Sequence, residues 1–77
     1  MSNVSMEEIR KLVGLQLGRR NVGDDDRFLE DLGAESADVA NIVATVEEKY
    51  GITIKEAEIA RLLTPADLFA LIHKRAE

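Results

Sequence analysis

Val39, Val43, Val46 and Tyr50 step by four, three and four residues, with Ile42 beside them. Only a helix brings such residues onto one face, so the spacing predicts a helix from about Ser36 to Tyr50. Gly51 is its stop, and Ile52 stands where a Schellman motif places an apolar contact with Val46. Two further segments carry the same signature. Ser5-Met6-Glu7-Glu8 fits a capping box, in which Ser5 accepts from the N–H of Glu8 and the Glu8 side chain reaches back to Ser5. Val4 and Ile9 flank that box at staple spacing, and Ile9, Leu12, Val13 and Gln16 continue at helical spacing, widened by Leu15 and Leu17. Gly14 costs about 1 kcal/mol relative to Ala inside this helix, and Gly18 ends it. The last helix opens with Thr64 as N-cap, Pro65 at the first helical position and Asp67 in the first turn. Leu63 and Leu68 stand at staple spacing, and Leu68, Phe69, Leu71 and Ile72 supply its buried face.

The segments between these helices differ in kind. From Gly18 to Glu35 no apolar period persists, yet Val22, Phe28, Leu29 and Leu32 can anchor the stretch to a core. Structureless connections this long tend to be functional or disordered, and the anchors favour an ordered functional loop. Ile52-Thr53-Ile54 is β-branched but has no partner strand, so it is expected as a packed connector. A helical turn near Ala57–Leu62 would bury Ile59 and Leu62. The expected fold is all-α, one domain spanning residues 1–77, with three main helices, one short helix and a long first loop.

Charge and composition narrow the function. The 77 residues contain no cysteine, which excludes disulfides, thiolate metal sites and a cysteine nucleophile. No apolar run approaches the roughly 18 residues of a membrane span, and no signal-peptide core is present, so a soluble cytoplasmic protein is expected. From Asp24 to Glu58 eleven acids face only Arg27, Lys49 and Lys55, a net of −8 within a chain of −5. Such a segment repels phosphate backbones and attracts basic protein surfaces, which argues against nucleic acid and for basic partners.

Catalytic equipment is missing. The one histidine, His73, sits where a cation complements the C-terminus of the last helix. Asp24-Asp25-Asp26 lacks the alternation, central Gly and distal Glu of a calcium loop, so no metal site is expected. No phosphate-binding or dinucleotide motif occurs. A non-catalytic role follows. Ser36 remains, directly behind the long loop and opening the second helix, where the dipole favours a negative group. Taken alone it reads as an N-cap serine.

Around it runs Phe28-Leu29-Glu30-Asp31-Leu32-Gly33-Ala34-Glu35-Ser36-Ala37-Asp38, followed by Val46-Glu47-Glu48-Lys49-Tyr50-Gly51, Ile52-Thr53-Ile54 and Thr64-Pro65-Ala66-Asp67-Leu68. In these stretches the chain resembles acyl carrier proteins, over nearly its whole length. The resemblance implies a four-helix bundle, with Ser36 as the attachment site of 4′-phosphopantetheine derived from coenzyme A. The terminal thiol of that arm would carry acyl groups as thioesters. It also implies a Mg²⁺-dependent phosphopantetheinyl transferase and acyl-loading, elongating or transferring enzymes as partners of a monomeric carrier. An acyl chain would fold back between helices, with Ala40, Val43, Ala44, Val46, Ile54, Ile59, Ala60 and Leu62 as candidate lining or plain core.

Partner docking would fall on Glu35, Ala37, Asp38, Asn41, Glu47 and Glu48. Three positions depart from the family's pattern: Glu35 replaces an Asp, Ala37 a Leu, and Asn41 a Glu typical of fatty-acid carriers. The middle of the recognition helix is therefore neutral, which favours a specialised carrier for fatty-acid, polyketide or related acyl synthesis. Two other classes stay open: an unmodified carrier-like interaction domain, and an unrelated helical subunit with an acidic face.

Overall fold

The computed structural model describes residues 4–75. Four helices follow one another, α1 Met6–Leu17, α2 Ser36–Tyr50, α3 Glu56–Ile59 and α4 Pro65–Arg75, with no strand among the described residues. The expected all-α architecture, with one short helix and a long first loop, is what forms. α1 packs against both α2 and α4. Ile9 and Val13 from α1, Ile42 and Val46 from α2, and Leu68 and Ile72 from α4 are buried completely or nearly so. Each such side chain contributes roughly 1.5–3 kcal/mol through burial.

Local chemistry sets the helix ends. Ser5 Oγ accepts from the Glu8 N–H at 3.1 Å. Only this half of the expected box forms. Glu8 instead brings its charge to Tyr50, whose phenol is pushed above the ordinary tyrosine range, first by burial and then by that charge. At the end of α2, Gly51 lies at φ 66° and the Ile52 N–H reaches back to the Glu47 carbonyl at 3.2 Å, the Schellman bond. α4 has the more complete start: Thr64 N–H donates to Asp67 Oδ2 at 3.1 Å, and Asp67 N–H donates to Thr64 Oγ1 at 3.2 Å.

The first loop is ordered by bonds that cross it. Arg19 donates to the Leu32 carbonyl at 3.0 Å, and Arg10 pairs with Asp24 at 2.5 Å. The Phe28 N–H donates to the Leu63 carbonyl at 2.9 Å, and the Ala66 N–H donates to the Asp24 carbonyl at 2.9 Å. Asp26 accepts from the Gly23 N–H at 2.7 Å. Two of the three consecutive aspartates thus serve the loop itself. Val22, Phe28 and Leu32 anchor it as expected, Phe28 being only 1% exposed.

Three leucines depart from expectation. Leu15 is 85% exposed because it falls off the arc that Ile9, Leu12 and Val13 turn toward the core. Leu29 and Leu63 are 54% and 59% exposed. Phe28 takes the core position beside Leu29. Leu63 is held by its backbone, its carbonyl accepting from Phe28 and its N–H donating to Asp67, while its side chain stays largely in solvent and Leu68 is buried. The Ile52–Ile54 connector packs as expected, with Ile54 buried, and Ile59 and Leu62 follow at the short helix.

Candidate functional site

A sharp bend precedes α2. Gly33 adopts φ 68°, a left-handed conformation that strains residues bearing a Cβ, and Ala34 then tucks inward, donating to the Phe28 carbonyl at 2.8 Å. The chain emerges at Glu35 in extended geometry, and α2 begins at once.

Glu35 is the N-cap, not Ser36. Its N–H donates to Asp38 Oδ2 at 2.9 Å, so the cap is made by a carboxylate one turn along. Ser36 has already entered the helix. Its side chain is exposed and accepts no capping bond. The hydroxyl is therefore presented outward at the positive end of a fifteen-residue helix, beside backbone N–H groups that have no partner within the helix.

Beside it opens a pocket of about 370 Å³, with Ser36 among its walls. Phe28, Val39, Ile59 and Leu62 make its apolar floor, and Leu29 and Leu63, two of the three exposed leucines, stand within its lining. Arg27 and Glu30 supply its charged edge. Of the lining expected from sequence, Ile59, Ala60 and Leu62 belong to this pocket. Val43, Val46 and Ile54 are sealed core, while Ala40 and Ala44 are exposed outside it. A larger cavity of about 740 Å³ lies along α1 and the first loop, and Ser36 takes no part in it.

The expected docking residues separate into two groups. Glu35, Ala37, Asn41 and Glu48 are exposed. Asp38 is half-buried and holds the cap. Glu47 is half-buried, its Oε2 accepting from the Ile54 N–H at 2.8 Å. Between the acids at either end, the outward side of α2 beyond Ser36 carries only Ala37, Ala40, Asn41, Ala44 and Thr45. His73 is far along the chain, stacked on Phe69 with centroids 5.8 Å apart at the end of α4.

A family model described as a phosphopantetheine attachment site matches residues 7–72. The chain belongs to the acyl carrier protein family. It is similar to an acyl carrier protein of Akkermansia muciniphila, 39% identical over 77 residues and covering 96% of each chain. It is also similar to the anthracycline acyl carrier protein DauA of Streptomyces sp. (strain C5), 32% identical over 79 residues, 97% of this chain and 94% of that one. Among solved structures, a 3-oxo-butyl carrier from the actinorhodin polyketide synthase of Streptomyces coelicolor superposes with a TM-score of 0.74. That pair is 25% identical and covers 99% and 95% of the two chains. Acyl carrier proteins bear 4′-phosphopantetheine covalently, and they carry rather than catalyse. An exposed, uncapped serine hydroxyl at a helix N-terminus fits a phosphodiester-linked arm. Among the described residues no helix is long and apolar enough to cross a membrane.

Neither Arg27 nor Leu63 stood out in the sequence as a site residue. Leu63 meets Ser36 only through the pairing of the first loop with the segment before α4, a contact that no local pattern announces.

Proposed function

We propose that Ser36 carries the 4′-phosphopantetheine arm, and that the protein, folded as one domain, presents acyl thioesters to cytoplasmic enzymes of a specialised pathway. The observation that carries the assignment is the Ser36 hydroxyl, exposed at the first turn of α2 and left out of the cap by Glu35 and Asp38. It lies within the motif around Gly33 and Ala34 that bends the chain to this point.

Loading exchanges a phosphoanhydride of coenzyme A for a phosphodiester on Ser36. Ser36 Oγ attacks the coenzyme A phosphorus that bears the pantetheine, and the bond from that phosphorus to the bridging pyrophosphate oxygen breaks. The Ser36 proton leaves to a base of the transferase, and 3′,5′-adenosine bisphosphate departs. Mg²⁺ belongs to the transferase. The arm's terminal thiol then holds acyl groups, and its tether raises their effective concentration at each partner's active site. Glu35 and Glu48 frame the docking face electrostatically, with Ala37 and Asn41 between them. Asp38 and Glu47 support that face from within. The neutral middle of α2 and the anthracycline and actinorhodin carriers among its likenesses favour polyketide-type chemistry over bulk fatty-acid synthesis.

Intact-mass spectrometry after incubation with coenzyme A, Mg²⁺ and a broad-specificity phosphopantetheinyl transferase tests the site. Wild type gains one phosphopantetheine and Ser36→Ala gains none. A wild type that stays unmodified while another carrier is loaded would return the protein to the class of unmodified interaction domains. A loaded Ser36→Ala would move the site elsewhere.

A further inference from the structure

We propose that Arg27 is a positioning residue for the arm, releasing Glu30 to hold the phosphodiester on Ser36 and so laying the arm across the pocket between Leu29 and Leu63. The inference rests on Ser36 being the attachment site. Arg27 and Ser36 line the same pocket of about 370 Å³, and Arg27 is the only basic residue in that lining. It is also the only base between Asp24 and Glu48, among Asp24, Asp25, Asp26, Glu30, Asp31, Glu35, Asp38, Glu47 and Glu48. A phosphodiester attached at Ser36 adds a permanent negative charge to the most acidic part of the molecule. The first turn of α2 offers N–H groups and a dipole, but the carboxylates of Glu35 and Asp38 stand at the same helix end. A cation that can reach the diester settles that conflict. Arg27 is the cation that shares a pocket with Ser36.

Its present bond does not prevent this. Arg27 Nη1 pairs with Glu30 Oε2 at 2.6 Å, with the two side chains 59% and 68% exposed. A pair so open to water is weak and readily exchanged. Nε and Nη2 have no partner among the described residues, so the planar fork retains donors for phosphate oxygens. The Arg27 backbone, in contrast, is fixed: its N–H donates to Asp31 Oδ2 at 2.8 Å and its carbonyl accepts from Asp31 and Leu32. The side chain can therefore turn without disturbing the loop. With the diester held at this edge, the apolar part of the arm lies toward Leu29 and Leu63. That gives Leu29 and Leu63, both open to water and lining this pocket, an apolar neighbour.

The test uses the full-length holo-protein, with loading verified by intact mass, and reads the ³¹P resonance of the diester. Urea-unfolded holo-protein provides the reference for an arm without contacts. In wild type the resonance stands away from that reference. Arg27→Gln moves it toward the reference, Arg27→Lys leaves it in between, and Glu30→Gln moves it farther away, because removing the competing carboxylate frees the guanidinium. A role confined to the Arg27–Glu30 pair predicts the same direction for Arg27→Gln and Glu30→Gln, and that result overturns the proposal. So does an Arg27→Gln resonance that coincides with wild type. Should a variant fail to fold, wild type alone decides: the Arg27 Nε–Hε signal must move between apo- and holo-protein. A wild type that accepts no arm sinks the Ser36 assignment and this inference together, whereas a loaded protein with an indifferent Arg27 sinks only the latter.

Discussion

At position 14 the chain does without a side chain because its own backbone returns there. A Cβ on Gly14 would lie 2.6 Å from the Arg19 carbonyl oxygen, well inside contact distance. Helix propensity alone favours Gly14→Ala by about 1 kcal/mol. The close approach reverses the sign, so Gly14→Ala is expected to lower the urea midpoint, and a raised midpoint would show that the loop yields without cost. Glu47 and Glu48 make a second contrast between neighbours. Glu47 satisfies the Ile54 N–H across seven residues, so Glu47→Ala should cost about 1–2 kcal/mol of stability. Glu48 is exposed, and Glu48→Ala should leave stability within about 0.5 kcal/mol of wild type. Denaturation of both variants decides; equal losses would contradict the division of roles. Sequence alone presents the two as adjacent acids on a recognition helix. It has no means of showing that one turns into the connector, because that bond depends on where Ile54 lands. The start of α2 at Ser36, by comparison, is legible, since the residues that shape it lie within a continuous stretch of chain.

Among the elements, those closed by local chemistry were readable and those closed by distant contacts were not. Ser5, Thr64 with Asp67, and Gly51 mark helix ends through bonds spanning only a few residues, and α1, α2 and α4 begin or end where those residues stand. Leu15, Leu29 and Leu63 look identical to core leucines until the packing decides which faces are covered. The short helix is legible as a turn near Ala57–Leu62 and forms at Glu56–Ile59, but the distant bonds that tie it down are not. Glu58 accepts from the Lys55 N–H at 3.0 Å and pairs with Arg75, while Arg75 also donates to the Thr53 carbonyl at 2.6 Å. One side-chain cluster thus joins α3, the connector and the end of α4. The Glu58 carboxyl is held below the ordinary glutamate range, first by the Lys55 N–H and then by Arg75. A lowered folded-state value means that this contribution is full above the ordinary glutamate range and is lost as pH falls through the lowered value. The stability gap between wild type and Glu58→Gln should therefore be widest near neutrality and close in acid. Urea titrations of both proteins across that range check it, and a gap independent of pH would show that the carboxylate charge contributes nothing.

Over the whole molecule, charge is divided so that the segment from Asp24 to Glu58 carries −8 while the rest carries +3. Approach to a basic enzyme surface is then steered, and association should weaken as salt rises. Charge reversal at Glu35 or Glu48 should slow loading more than reversal at Glu7, which is exposed on α1 beside the other cavity. Equal effects would indicate a response to net charge only. What this surface lacks matters as much as what it holds. Ala37 and Asn41 are exposed on the outward side of α2, at the positions where the resemblance to acyl carrier proteins implies a Leu and a Glu. Each absence is expected to remove on the order of 1 kcal/mol from docking to enzymes built for the fuller pattern, a several-fold loss of affinity per position. Two such losses are enough to separate pathways when carriers compete for the same enzymes. Restoring both groups should reverse this without disturbing the core, because neither side chain is buried and the cap beside them is made by Asp38. The double variant Ala37→Leu with Asn41→Glu is therefore expected to gain malonyl loading and chain elongation by ordinary fatty-acid-synthesis enzymes, at nearly unchanged stability. Side-by-side rates for wild type and the double variant measure it. If wild type already serves those enzymes as well as a fatty-acid carrier does, the neutral face confers no selectivity and the carrier belongs to general fatty-acid synthesis.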